Sequence, residues 1–240
     1  MTTVRRFSAP RPMVLAAVVA ALLASMLRAG PAQATTDPLL ARQWALTRIG
    51  ASAAWARSTG SGVRIGIVDT GVDLAHEDLA GQVLASTSCI DTGGDPARCT
   101  GSGQDDQGHG THVAGIAAAA RDNGKGIAGV APGARLLVAK ALDAEGAGTT
   151  EDINAGIRWV VDHGAQVVNL SLGGNFVIDS LFGTSLDEGV RYAWSRGAIP
   201  VLAAGNTNLL GLLGSSQYGT LPAVVVGAST PHRAFPSGLE

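Results

Sequence analysis

The strongest constraint on the fold is a set of five short apolar runs: Val63 to Val68, Ala134 to Ala139, Gln166 to Leu170, Ala198 to Ala203, and Ala223 to Val226. They are rich in Val, Leu, Ile and Ala without strict alternation, as expected of strands covered on both faces. Helical stretches lie between them. Thr149 to His163 opens with Thr149-x-x-Asp152, a capping-box-like start, and sets Ile153, Ile157 and Val160 on one face. Ser185 to Arg196 places Leu186, Val190 and Ala193 on its apolar side, and His109 to Ala120 is small and apolar enough for a buried central helix. Strands alternating with helices at this spacing predict a doubly wound α/β domain. A length of 240 residues suits one such domain.

The first 34 residues read differently. Arg5, Arg6 and Arg11 precede an apolar run from Met13 to Leu27, and Ala32-Gln33-Ala34 has the small-x-small form of a signal peptidase site. The apolar run makes roughly 22 Å of helix, short of the ~30 Å hydrocarbon core, so export is expected rather than a stable membrane anchor. Four of the 17 basic residues precede Ala34 and no acidic residue precedes Asp37, leaving 13 basic against 19 acidic residues, a charge of −6. That balance excludes a basic nucleic-acid footprint. Two cysteines, Cys89 and Cys99, suit a single disulfide in an oxidising compartment and exclude a disulfide-framework scaffold.

Chemistry-bearing residues concentrate at the carboxyl ends of the expected strands, where ligands bind in open parallel sheets. Asp69 closes the first strand within Ile67-Val68-Asp69-Thr70-Gly71-Val72-Asp73. His109 opens a helix within Gly108-His109-Gly110-Thr111-His112-Val113-Ala114-Gly115, and Asn206 follows Ala203-Ala204-Gly205. A carboxylate can orient an imidazole, and an amide can donate to a developing oxyanion. Together they suit acyl transfer to water. His112 with Asp105 or Asp106 lacks the i, i+4 spacing of a helical zinc site, and Gly60-Ser61-Gly62 precedes its strand, so a dinucleotide fingerprint fails on context.

These blocks, in the order Asp, His, Asn, resemble the subtilisin-like serine proteases, the subtilases of peptidase family S8. Gln43-Trp44, Ala53-Ala54-Trp55, Gly129-Val130-Ala131-Pro132 and Ser171-Leu172-Gly173-Gly174 extend the likeness from about Asp37 to Ser229. The resemblance implies a subtilisin-like three-layer fold, with a mostly parallel central sheet and helices on both faces, incomplete at the C-terminus. It implies a secreted serine-type endopeptidase with Asp69 and His109 as two triad members and Asn206 as oxyanion donor. Ser171, Leu172, Gly173 and Gly174 would pair with an extended polypeptide substrate, and Ala203, Ala204 and Gly205 would line the same site. No cofactor is implied for the chemistry. A structural calcium is implied at Gln43, Asp78, Asp122 and Asn123, with a plain Asp122-Asn123-Gly124 turn as the alternative. Neither nucleic acid nor a second copy of the chain is an expected partner, so a monomer is anticipated.

The family's nucleophile lies in a Gly-Thr-Ser-x-Ala block several tens of residues beyond the oxyanion asparagine. No such block follows Asn206. Gly183-Thr184-Ser185-Leu186 precedes Asn206, and Ser185 with Glu188 has the Ser-x-x-Glu spacing of a helix cap instead. Residues 1–34 are therefore expected to be a signal peptide and 35–240 the N-terminal portion of a peptidase domain, truncated before the nucleophile helix and inactive alone. A non-catalytic pseudoprotease that binds extended peptides is the alternative.

Overall fold

The computed structural model describes residues 36–172, 186–204 and 221–229. The chain divides into units 1–35 and 36–240, of which only the second contains described residues. The expected signal peptide, Gly173, Gly174, Ser185, Gly205 and Asn206 lie outside them.

Helices α1 (Trp44–Arg48) and α2 (Ala51–Trp55) lead into β1 (Arg64–Asp69). There follow β2 (Val83–Ser88), α3 (His109–Ala118), β3 (Arg135–Lys140), α4 (Thr150–Asp162), β4 (Val167–Leu170), α5 (Asp187–Ser195), β5 (Ile199–Ala203) and β6 (Val224–Val226). The sheet runs β2-β3-β1-β4-β5-β6, and every neighbouring pair is parallel. Asp69 therefore ends an interior strand, at the sheet edge where β4 and β5 also end.

The lack of alternation in β1 and β3 has a direct cause, whereas burial alternates along β4 and β5, and β6 is exposed at Val224, Val225 and Val226. Ile67, Leu136 and Val138 pack with Ala114 and Ala118 of α3, while Val68, Leu137 and Ala139 pack with Ile153, Ile157 and Val160 of α4. Successive residues thus enter two separate cores. Helix α4 approaches β1 closely, so a Cβ at Gly66 would stand 2.7 Å from Val160 Cγ2.

Four local features depart from the sequence expectation. Helix α3, expected to be a buried central helix, buries only Gly110, Ala114 and Ala118 and leaves His112 and Ile116 exposed. Strand β2 is not among the five apolar runs, because Ser86, Thr87 and Ser88 give it a polar half. It lies at the edge of the sheet, with a register shift between Val83 and Ala85, and Leu84 is exposed. Helix α5 starts at Asp187, so Leu186 rather than Ser185 holds the N-cap position, without a side-chain cap. Thr149 does cap α4, its Oγ1 accepting from the Asp152 amide at 3.1 Å. Asp152 does not complete a capping box. Its carboxylate turns to the Cys89–Cys99 disulfide loop and accepts from Thr92 N, Thr92 Oγ1 and Asp91 N at 2.8, 2.7 and 3.1 Å. The bridge itself is buried, and it closes a loop between β2 and the segment leading to His109.

Candidate active site

Strand β1 delivers Asp69 fully buried, and α3 delivers His109 at its first turn with the side chain 45% exposed. The two meet through a 2.7 Å hydrogen bond between His109 Nδ1 and Asp69 Oδ1. With a carboxylate as partner, Nδ1 carries the proton, which leaves Nε2 free to take one from a reacting group.

Glycines permit this approach at two points. A Cβ at Gly110, the second residue of α3, would run into the Gly71 carbonyl and lie 3.1 Å from Asp69 Cβ. Gly71 has φ +107°, and a Cβ there would meet the Gly103 carbonyl oxygen at 2.6 Å. The two loops are stitched by backbone bonds from Val72 N to Gly103 O and from Asp105 N to Val72 O, at 2.9 and 3.2 Å.

Asp105 locks the same junction. Oδ1 accepts from Thr70 Oγ1, Gln107 N and Gly108 N at 2.9, 3.0 and 2.9 Å, and Oδ2 accepts from Thr111 N and Thr111 Oγ1. Thr70 Oγ1 in turn accepts from Gly110 N at 2.9 Å. The sequence presents Asp105 only as a candidate metal ligand; its position four residues before His109 gives no hint of this clamp.

The two carboxylates differ electrostatically. Burial pushes the Asp69 carboxyl above its usual range, outweighing the hydrogen bonds from His109 and Thr70 N. Among the described residues, Asp69 Oδ2 is the buried side-chain atom without a hydrogen-bond partner. Asp105 also resists ionisation through burial, yet its bonds from Gly108, Thr111 and Gln107 prevail and hold it well below the usual carboxylate range. The site thus keeps one strained carboxylate facing His109 and one settled carboxylate behind the helix start.

Ser171 and Leu172 leave β4, and Ala203 and Ala204 close and follow β5, at the same sheet edge as Asp69. Asn169 Nδ2 donates to Ser171 Oγ at 2.9 Å, and Ala204 N donates to Val226 O at 2.9 Å.

The expected calcium residues are distributed unevenly. The Gln43 amide is engaged at both ends by Ala128, donating to its carbonyl and accepting from its N–H at 2.8 Å each. Asp122 Oδ2 accepts from Arg121 Nε. Asp78 is buried and accepts from Asn123 Nδ2 and Ile127 N at 2.9 and 2.8 Å. Asp37, which the sequence does not single out, is also buried and accepts from Asp122 N and Asn123 N at 3.0 Å each. The two sealed carboxylates on one loop are hard oxygen donors of the kind calcium takes, while Asn123 turns its Nδ2 to Asp78 and its Oδ1 accepts from Lys125 N at 2.8 Å. Asp37 is the first acidic residue of the chain, which is the available signal. Among the described residues, no group of three or more His, Cys, Asp or Glu side chains is gathered as a metal site.

The sequence profile of the Subtilase family matches residues 60–235. Thermitase from Thermoactinomyces vulgaris is 43% identical over 171 residues, 71% of this chain and 57% of that protein. A thermophilic serine proteinase from Bacillus sp. (strain AK1) is 42% identical over 172 residues, covering 71% and 40%. Subtilisin BL from Lederbergia lenta is 38% identical over 187 residues, covering 78% and 63%. The match thus spans less than two thirds of each relative's own length. With Asp69 and His109 joined at the carboxyl edge of a parallel sheet, and the profile covering most of the residues around them, the chain belongs to the subtilase family.

Proposed function

We propose that this chain supplies the acid–base half of a secreted serine endopeptidase that cleaves extended polypeptides. The observation that carries the reading is the buried Asp69 carboxylate bonded to Nδ1 of a half-exposed His109. In the reaction a serine hydroxyl attacks the peptide carbonyl carbon, and His109 Nε2 takes the hydroxyl proton as the C–O bond forms. Asp69 holds the ring and stabilises the imidazolium. His109 then gives that proton to the leaving amine as the C–N bond breaks; water repeats the sequence to release the acid. Asn206 would donate to the oxyanion, and the Ser171 to Gly174 segment would pair with the substrate backbone.

The serine comes from a Gly-Thr-Ser-x-Ala block that residues 1–240 do not contain. Asp37, Asp78 and Asn123 would hold a calcium whose charge offsets two buried carboxylates, a structural rather than chemical service; Gln43 and Asp122 flank that loop. Residues 1–34 would direct export. Among the described residues no helix is long and apolar enough to cross a membrane.

The test is complementation. The chain is refolded with a separate segment bearing the Gly-Thr-Ser-x-Ala block and assayed on a fluorogenic extended peptide. Hydrolysis that disappears in His109→Ala is the expected result. Peptide binding without hydrolysis by a folded complex would favour the non-catalytic reading instead.

A further inference from the structure

Lys140 is the last residue of β3 and stands directly beside Asp69 in the β1–β3 register. Its side chain is only 10% exposed. A buried ammonium is tolerated where its N–H groups are satisfied. Here Nζ donates to Thr70 O at 2.9 Å, Leu142 O at 2.8 Å and Asp106 Oδ1 at 2.6 Å. All three donors of the ammonium are used.

The acceptors come from three different segments. Thr70 begins the turn after β1, immediately after Asp69. Leu142 follows β3, and its N–H, with that of Ala141, donates to the Asp69 carbonyl at 3.2 and 2.9 Å. Asp106 belongs to the loop that ends three residues later in His109. One buried cation therefore joins the Asp69 turn to the His109 loop.

The junction is doubly secured at Thr70. Its hydroxyl donates to Asp105 and its carbonyl accepts from Lys140, while its N–H donates to Asp69 Oδ1 at 2.8 Å. Asp105 and Asp106 are adjacent, so the His109 loop is tied to Thr70 by two independent routes. Shifting that loop away from Asp69 breaks a charged hydrogen bond whichever way it moves.

We infer that Lys140 is a positioning residue for the acid–base pair: it fixes the His109 loop against the Asp69 turn and so sets the hydrogen bond between His109 Nδ1 and Asp69. This rests on the reading of that pair as the reacting acid–base couple. The Lys140 ammonium donates its hydrogen bonds to Thr70, Leu142 and Asp106 rather than to either side chain of the pair. The junction brings together the titratable groups of Asp69, His109, Asp105, Asp106 and Lys140 itself.

The experiment is proton NMR on the full chain, following the low-field resonance of the proton between His109 Nδ1 and Asp69, alongside circular dichroism. In Lys140→Met the resonance is expected to broaden or be lost while the dichroism spectrum stays native. Lys140→Arg keeps the charge and donors and is expected to restore it. Lys140→Gln is the milder variant should the methionine variant not fold, with the same loss expected. An unchanged resonance in a folded neutral variant overturns the inference. Failure of both neutral variants to fold overturns it too, since the role is then general stability. Failure of the catalytic reading looks different: the wild-type chain itself would lack the resonance, or keep it in His109→Ala.

Discussion

The buried Asp69 carboxylate makes an unusual prediction: replacing it with asparagine stabilises the fold while destroying the proposed chemistry. Asp69 is fully buried, Oδ1 accepts from Thr70 N and His109 Nδ1, and Oδ2 has no hydrogen-bond partner among the described residues. Burial raises its folded-state proton affinity above the unfolded value. For an acid the sign is then fixed: stability falls as pH rises from the unfolded value, about 3.9, through the raised folded value, and stays lower above it. Each tenfold increase in proton affinity corresponds to about 1.4 kcal/mol of that loss. The asparagine in Asp69→Asn would keep an oxygen for Thr70 and His109 and remove the sealed charge, a penalty of several kcal/mol per ion. Its NH₂ would take the place of the orphan Oδ2, returning about 1–3 kcal/mol as an unpaired donor. The net expectation is a gain of about 1–2 kcal/mol at pH 8 that shrinks to nothing or reverses near pH 3. Urea unfolding midpoints of wild type and Asp69→Asn across that range measure it, provided the slopes agree. A variant less stable than wild type at pH 8, and relatively better in acid, would refute the reasoning.

Asp105 behaves in the opposite sense. Its lowered folded-state value means that it stabilises the fold above the ordinary carboxyl range and that this contribution is lost as pH falls toward the lower folded value. Asp105→Ala, which orphans donors at Thr70, Gln107, Gly108 and Thr111, is expected to cost about 2–4 kcal/mol at neutral pH by urea unfolding. Reduction of the Cys89–Cys99 bridge, with a sequence separation of 10, should cost about 3 kcal/mol on the loop-entropy account, read as a fall in Tm with reductant. Calcium should raise Tm in the wild-type chain and do so much less in Asp78→Asn, whereas Gln43→Ala should retain most of the effect.

Strands β1 and β3 are legible in the sequence because burial on both faces leaves a near-continuous apolar run, whereas β6 is legible from its valines alone, since Val224, Val225 and Val226 are exposed. Strand β2 is not, since an edge strand with Ser86, Thr87 and Ser88 satisfies its backbone through one neighbour and needs little apolar surface. Asp69 and His109 are legible because their glycine-flanked blocks are unusual, and the close approach of Gly110 to Gly71 explains those glycines physically. Asp105, Lys140 and Asp37 are not. The partners that matter for Lys140 and Asp37 lie 34 to 86 residues away along the chain, and Asp105 ties its local donors at Gln107, Gly108 and Thr111 to Thr70, 35 residues away, so no local pattern records these pairings. Asp152 shows the same limit in reverse: its spacing from Thr149 suggests a local cap, and a loop 60 residues away claims the carboxylate.

The central claim is that His109, oriented by Asp69, transfers the proton in peptide-bond cleavage. The most direct test is kcat for the complemented protein on one extended peptide, comparing wild type with His109→Ala at equal folded fraction. A loss of at least about a hundredfold is predicted, the lower end of what a positioned acid–base group contributes. Turnover in His109→Ala within a few-fold of wild type would contradict the account.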